Sequence, residues 1–167
     1  MPFPQVVNKI TAVFQKRPEY SLLVILGVSF LLFLPCLGNS FVNWDDQHFL
    51  TNNPLVFAKP FQNLREIFTS HIMGLYYPLT LLVFQILYYF FKLQPFYYHL
   101  SNILLHLLNI ALLFHILIYL RLDWRICAGT ALLFAIHPLQ VESVAWVAAF
   151  KDLFYSFWYL SAICYYL

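Results

Sequence analysis

Charge is what this sequence has least of. Asp and Glu number 7 and Lys and Arg 9 among 167 residues, 10% together, against 62% hydrophobic residues. Soluble domains carry about a quarter charged residues, so a fully hydrated surface is excluded and an integral membrane protein is indicated. Cysteine is equally sparse. Cys36, Cys127 and Cys164 stand in or beside apolar segments with no CxxC spacing, which excludes a disulfide framework and a thiolate metal centre and leaves small core hydrophobes. No basic run, Gly-rich phosphate loop or HExxH motif occurs. Nucleic-acid binding, P-loop chemistry and zincin chemistry therefore lack their residues. No cofactor is indicated, and a divalent metal is left open.

A signal-peptide cleavage site is also missing. The first apolar run, 20–37, is preceded by Lys9, Lys16 and Arg17 and ends in Pro35-Cys36-Leu37-Gly38 rather than a small-x-small site. It reads as an uncleaved crossing with residues 1–19 in the cytoplasm. Four further apolar segments follow. If all five crossed, Arg121 and Arg125 would fall outside, against the excess of Lys and Arg in short cytoplasmic loops.

The conflict disappears if 75–91 does not cross. Tyrosines crowd both its ends (Tyr76, Tyr77, Tyr88, Tyr89), Gln85 interrupts it, and it is short for a hydrocarbon core of about 30 Å. Before it, Phe61, Leu64, Ile67, Phe68 and Ile72 fall at helical spacing among Gln62, Asn63, Arg65 and Glu66, predicting an amphipathic surface helix. The expected plan is an outer loop 39–94 with two interfacial helices, a second crossing 96–120 and a cytoplasmic link 121–125. A third crossing, 126–147, kinked at Pro138, leads to a short outer loop 148–152. A fourth, 153–167, is about 22 Å long, too short to cross, so the chain reads as incomplete.

This plan gathers the ionisable residues on one side. Asp45 and Asp46 follow the first crossing; His137, Glu142, Lys151 and Asp152 come about a hundred residues later. A carboxylate at the mouth of a membrane cavity can act as a general base on a hydroxyl; as a bland alternative, the pair caps a loop helix. Glu142 lies in the apolar stretch 141–149, where an unpaired charge is costly, so a partner is expected, either His137 or a polar ligand. Lys151-Asp152 also suits an interfacial anchor. His99, Asn102, His106 and Asn109 recur at helical spacing as one polar stripe, for which interhelical hydrogen bonding outweighs metal ligation.

An ordered set of short motifs carries a resemblance. Phe41-Val42-Asn43-Trp44-Asp45-Asp46, Asn53-Pro54, Tyr77-Pro78-Leu79-Thr80, Tyr98-His99-Leu100-Ser101-Asn102 with His106, and Leu133-Phe134-Ala135-Ile136-His137-Pro138 come first. Val141-Glu142-Ser143-Val144-Ala145 and Lys151-Asp152 follow. From Phe41 onward the chain resembles the N-terminal membrane part of the O-mannosyltransferases that join transmembrane helices to tetratricopeptide repeats, and their prokaryotic relatives. The resemblance implies an all-α integral membrane fold of the glycosyltransferase C (GT-C) type. It implies a catalytic Asp at Asp45 or Asp46, a lipid-phosphate-linked sugar as donor, and a protein or glycan hydroxyl as acceptor. Glu142, Lys151 and Asp152 match its second outer-loop motif. His137, Arg65, His99, Asn102 and His106 are further substrate-binding candidates, Arg65 and Lys151 as cations for the phosphate. Two departures stand out: Gln140 occupies the place of a second His, and Ala148-Ala149-Phe150 replaces a stretch that usually carries an Arg. That missing Arg favours the rival reading, a non-catalytic membrane scaffold. A transporter would need paired broken helices.

Overall fold

The computed structural model describes residues 17–167; Lys9 and Lys16, counted above as cytoplasmic, lie outside the described residues. Helices account for every regular element among those residues. Helix α1, Glu19–Phe33, continues into a 3-10 turn, Leu34–Gly38, where Pro35 removes an amide that an α-helix would need. A π-helical turn, Gln47–Thr51, leads to the short α2, Pro54–Phe57, and α3, Leu64–Thr69. Then come α4, Pro78–Phe91, and α5, Pro95–Tyr119. After α6, Trp124–Ile136, and α7, Gln140–Ala145, a 3-10 turn, Val147–Ala149, opens α8, Phe150–Tyr166. Two stretches, Glu19–Gly38 and Pro95–Tyr119, are long and apolar enough to cross a membrane.

Helix α5 is the central pillar, packed against α8, α6, α1 and α7. Its 25 residues rise about 37 Å, longer than a bilayer core. One apolar cluster, with Ile110, Phe114, Cys127, Ala131 and Ala135, joins α5 and α6 to α1. A larger cluster, with Phe49, Leu50, Val56, Ile67, Phe84, Tyr98 and Val147, surrounds the other end of α5 with the loop segments. Leu23 and Leu31 of α1 and Leu133 of α6 face outward, as in a chain whose solvent is hydrocarbon.

Two expectations are corrected. The amphipathic segment 61–72 is helical only over Leu64–Thr69. Phe61 has φ +65°, and residues 72–75 close a tight hairpin by reciprocal 3.0 Å bonds between Ile72 and Leu75. Its central residues have φ +52° at Met73 and +77° at Gly74; Gly74 takes that conformation without steric penalty. The third segment is broken rather than kinked. His137 is extended at ψ 134°, because a residue preceding proline is driven out of the helical region. In place of one kinked crossing over 126–147 stand the 13-residue helix Trp124–Ile136, a corner and a second helix of 6 residues, Gln140–Ala145.

Candidate functional site

The site is assembled where the loop after α1 meets the corner after α6. Asp46 is buried, 1% exposed. Its Oδ2 accepts from the Val42 amide at 2.9 Å, four residues back, and its Oδ1 from the Ala148 amide at 2.8 Å, 102 residues on. One carboxylate thus ties the first loop to the turn before α8. Burial pushes its pKa above the usual carboxylate value, opposed by the Val42 and Ala148 amides and by the nearby His99 ring.

Asp45, its neighbour, is half-buried. Its charge reaches Tyr77 in the segment before α4, whose phenol is pushed well above its ordinary pKa, first by burial and then by that charge. The rings of Phe49 and Tyr77 meet edge-on at 4.9 Å. Beyond Phe49 stands Lys151, its Nζ 5.8 Å from that ring and 5.6 Å from the Trp146 ring. The Lys151 side chain is 17% exposed, donates to the Ala148 carbonyl at 3.3 Å and lies 3.8 Å from the Asp152 carboxylate. The two clusters of the sequence therefore meet through Asp46, which bonds to the Val147–Ala149 turn beside Lys151 and Asp152.

Two cavities flank this junction. One, about 410 Å³, is lined by Asn39, Val42, Trp44, Val141, Glu142, Ala145 and Trp146. The other, about 240 Å³, lies between the start of α4 and α8, lined by Tyr76, Tyr77, Thr80, Phe154, Tyr155 and Trp158 among others.

The remaining candidates fall elsewhere. Glu142 was expected to be paired inside an apolar helix; it is exposed instead, because the corner at Pro138 lifts α7 out of the line of α6. His137 does not reach it: its Nδ1 accepts from the Leu139 amide at 3.3 Å and caps the corner. The polar stripe of α5 is buried in the bundle. Asn102 donates to the Trp146 carbonyl at 2.8 Å and the Val144 carbonyl at 3.3 Å, and Asn109 to the Leu153 carbonyl at 2.9 Å. His106 Nε2 lies 3.1 Å from the Ala135 carbonyl. Asn102 and His106 take up carbonyls left free where α7 and α6 end, and Asn109 adds a bond to a carbonyl in the first turn of α8; Asn102 and His106 line neither cavity. His99, 2% exposed, faces Asp46 from the same stripe. Arg65 is exposed on α3, and among the described residues no side-chain contact links it to the site. No three His, Cys, Asp or Glu side chains among the described residues converge at metal-binding spacing.

Sequence reasoning missed the Ala148 amide, a backbone group with no signature, and the pairing of Trp146 with Trp44, rings 6.3 Å apart. In a chain one-fifth aromatic, a single tryptophan carries no signal by itself.

Among the described residues the chain is helical, with two helices long and apolar enough to cross a membrane and a buried carboxylate tying a loop to the turn before α8. Comparison with known proteins narrows the class. The chain resembles protein O-mannosyl-transferases: it is 32% identical to human protein O-mannosyl-transferase TMTC1 over 147 residues, 81% of this chain and 16% of that protein. Identity to human protein O-mannosyl-transferase TMTC3 is 30% over 149 residues, 83% and 16% of the two chains. To protein O-mannosyl-transferase F38B6.6 of Caenorhabditis elegans it is 29% over 157 residues, 86% and 22%. The chain thus spans about a fifth or less of the length of these relatives. No family model matches, and no solved structure matches.

Proposed function

We propose that this chain forms the reacting corner of a membrane glycosyltransferase with the GT-C architecture. It moves a sugar, mannose by its relatives' names, from a polyprenyl- or dolichyl-phosphate donor to a Ser or Thr hydroxyl of a protein. The membrane is the cytoplasmic one in a prokaryote and that of the endoplasmic reticulum in a eukaryote, with the site on the outer or lumenal side and the chain crossing several times.

What supports the reading most is the division of labour between the adjacent carboxylates. Asp46 is fixed by two amides and braces the loop; Asp45 is left facing Tyr77. In the proposed reaction Asp45 takes the proton of the acceptor hydroxyl as that oxygen bonds to the anomeric carbon. The bond from that carbon to the phosphate oxygen breaks, and its electron pair leaves on the lipid phosphate. A positioned base of this kind is worth a factor of about 10²–10⁴. Lys151, already half-desolvated between two aromatic rings, offsets the charge that grows on the phosphate. Arg65, exposed on α3, is the weaker candidate for this role.

The test is transfer by the full-length protein, inserted in membranes, with a polyprenyl-phosphate sugar. Asp45→Asn should abolish transfer while keeping the fold, and Asp46→Asn should reduce transfer together with folding yield. Full transfer by Asp45→Asn removes the base from this loop and leaves the scaffold reading, which the absence of an Arg from 148–150 already favours.

A further inference from the structure

Of the two cavities, the one beside Trp44 carries a chemical character of its own. Trp44 is 76% exposed, an indole held in the open immediately before Asp45. Beside it in the lining stands Trp146, its ring centroid 6.3 Å away and tilted by 42°, so the two indoles form one aromatic wall. Glu142, exposed one turn before Trp146, and Asn39, after the 3-10 turn of α1, add a carboxylate and a carboxamide to the lining. Neither side chain makes a hydrogen bond or ion pair among the described residues, so both keep their full capacity, acceptor-only for Glu142 and donor plus acceptor for Asn39. At about 410 Å³ the cavity falls within the usual range for a small-molecule site.

The shape of that lining selects a class of ligand. A pyranose has one face of C–H groups, edged by hydroxyls. The negative face of an indole attracts such C–H groups, and an ionised carboxylate accepts hydroxyl protons more strongly than a neutral group does. A purely apolar lipid chain would gain from the indoles but would use neither Glu142 nor Asn39, which are exposed and stay hydrated, whereas a sugar bonds to both. A phosphate would be repelled by Glu142, and Lys151 is not among the residues that line this cavity.

We infer that Trp44 and Trp146, with Glu142 and Asn39 at the rim, form the subsite that holds the pyranose ring and selects the sugar. This rests on the glycosyltransferase reading, in which Trp44, directly before Asp45 in the chain, brings the sugar to the reacting loop. Trp44 then couples recognition to chemistry: a ring stacked on its indole fixes the loop that presents Asp45.

Binding can be measured apart from transfer. Saturation-transfer NMR on the full-length protein in nanodiscs, with methyl α-mannopyranoside as probe, should show saturation concentrated on the ring C–H protons. Farnesyl phosphate, a lipid phosphate without sugar, serves as the second probe. Trp44→Ala should weaken the mannoside about tenfold and leave farnesyl phosphate unchanged, while Trp44→Phe keeps most of the affinity. Glu142→Gln should shift the preference among mannoside, glucoside and galactoside more than it changes the strongest affinity. Trp44 is too exposed for its truncation to disturb the core. No detectable mannoside binding, or binding indifferent to Trp44→Ala, overturns the inference; loss of farnesyl phosphate instead reassigns the cavity to the lipid chain. Mannoside binding without any transfer would overturn the transfer reading alone.

Discussion

Asp46 shows how one side chain can be essential to a site without reacting in it. Its carboxylate bridges two amides 106 residues apart in sequence, and losing a partner for a buried donor costs about 1–3 kcal/mol. Asp46→Ala should therefore destabilise the fold by about 2–4 kcal/mol, since two amides lose their acceptor at once. Asp46→Asn should cost less, because its oxygen can still accept from one amide while its NH₂ is forced against the other. The raised pKa adds a pH signature. A carboxyl whose folded value lies above its ordinary 3.8 binds its proton more tightly in the folded state. Its stabilising contribution is complete below pH 3.8 and is lost as pH rises through the folded value. Thermal or denaturant unfolding in nanodiscs between pH 3.5 and 7 should thus show a component that falls with rising pH and is absent from Asp46→Asn. A slope of the opposite sign would mean that the two amides outweigh burial and the folded value lies below the ordinary one.

At the scale of elements, backbone breaks are matched by polar side chains reaching from neighbours. The Gln85 Nε2 donates to the Leu55 carbonyl at the start of α2, and its Oε1 accepts from the Phe61 amide, both at 2.9 Å. One residue in the middle of α4 thereby clamps segment 55–61 over that helix. Gln85→Leu would keep the volume and lose both bonds. Limited proteolysis between residues 55 and 64 should rise several-fold while the α5–α8 core, measured by protection of 103–114, is unchanged. An unaltered cleavage pattern would show that apolar packing alone holds the segment. Sequence pattern made the long helices legible, because α1 is a nearly continuous apolar run and α5 an apolar one crossed by a single polar stripe, with prolines only at their edges. The polar stripe of α5 and its role between helices were legible for the same reason. The corner at His137 was visible only as a proline; His106 takes the Ala135 carbonyl left loose there, and Asn102 does the same for the carbonyls at the end of α7. The hairpin at Met73-Gly74 escaped notice because Ile72 happens to continue the helical spacing set by Leu64, Ile67 and Phe68. The meeting of Asp45-Asp46 with Lys151-Asp152 could be framed as a question from sequence, but the bond that answers it ends on a backbone amide.

For the whole molecule the open physical question is which segments cross. Helix α4 spans 14 residues, about 21 Å, and α6 spans 13, about 20 Å; neither covers a hydrocarbon core of about 30 Å unaided. Helix α4 is also sheathed on one face by α2, with Gln85 buried beneath it, a placement suited to a helix lying in the interface. If α4 stays outside, α5 runs inward and ends at Arg121, whose φ of +58° closes the helix through the Leu122 amide bonding to the Leu117 carbonyl at 3.3 Å. Arg121 then sits beside the carbonyl end of the helix dipole, on the side where short loops collect cations. With α4 crossing, the same arginine pair would lie outside with Asp45 and Asp46. Single cysteines separate the two plans in a background where Cys36, Cys127 and Cys164 are replaced by Ala. In sealed, right-side-out vesicles, a membrane-impermeant thiol reagent should label Asn63→Cys and leave Leu122→Cys untouched until the vesicles are opened. Labelling at 122 from outside would require α4 to cross despite its length, and would put the charged link 121–125 on the same side as the carboxylates.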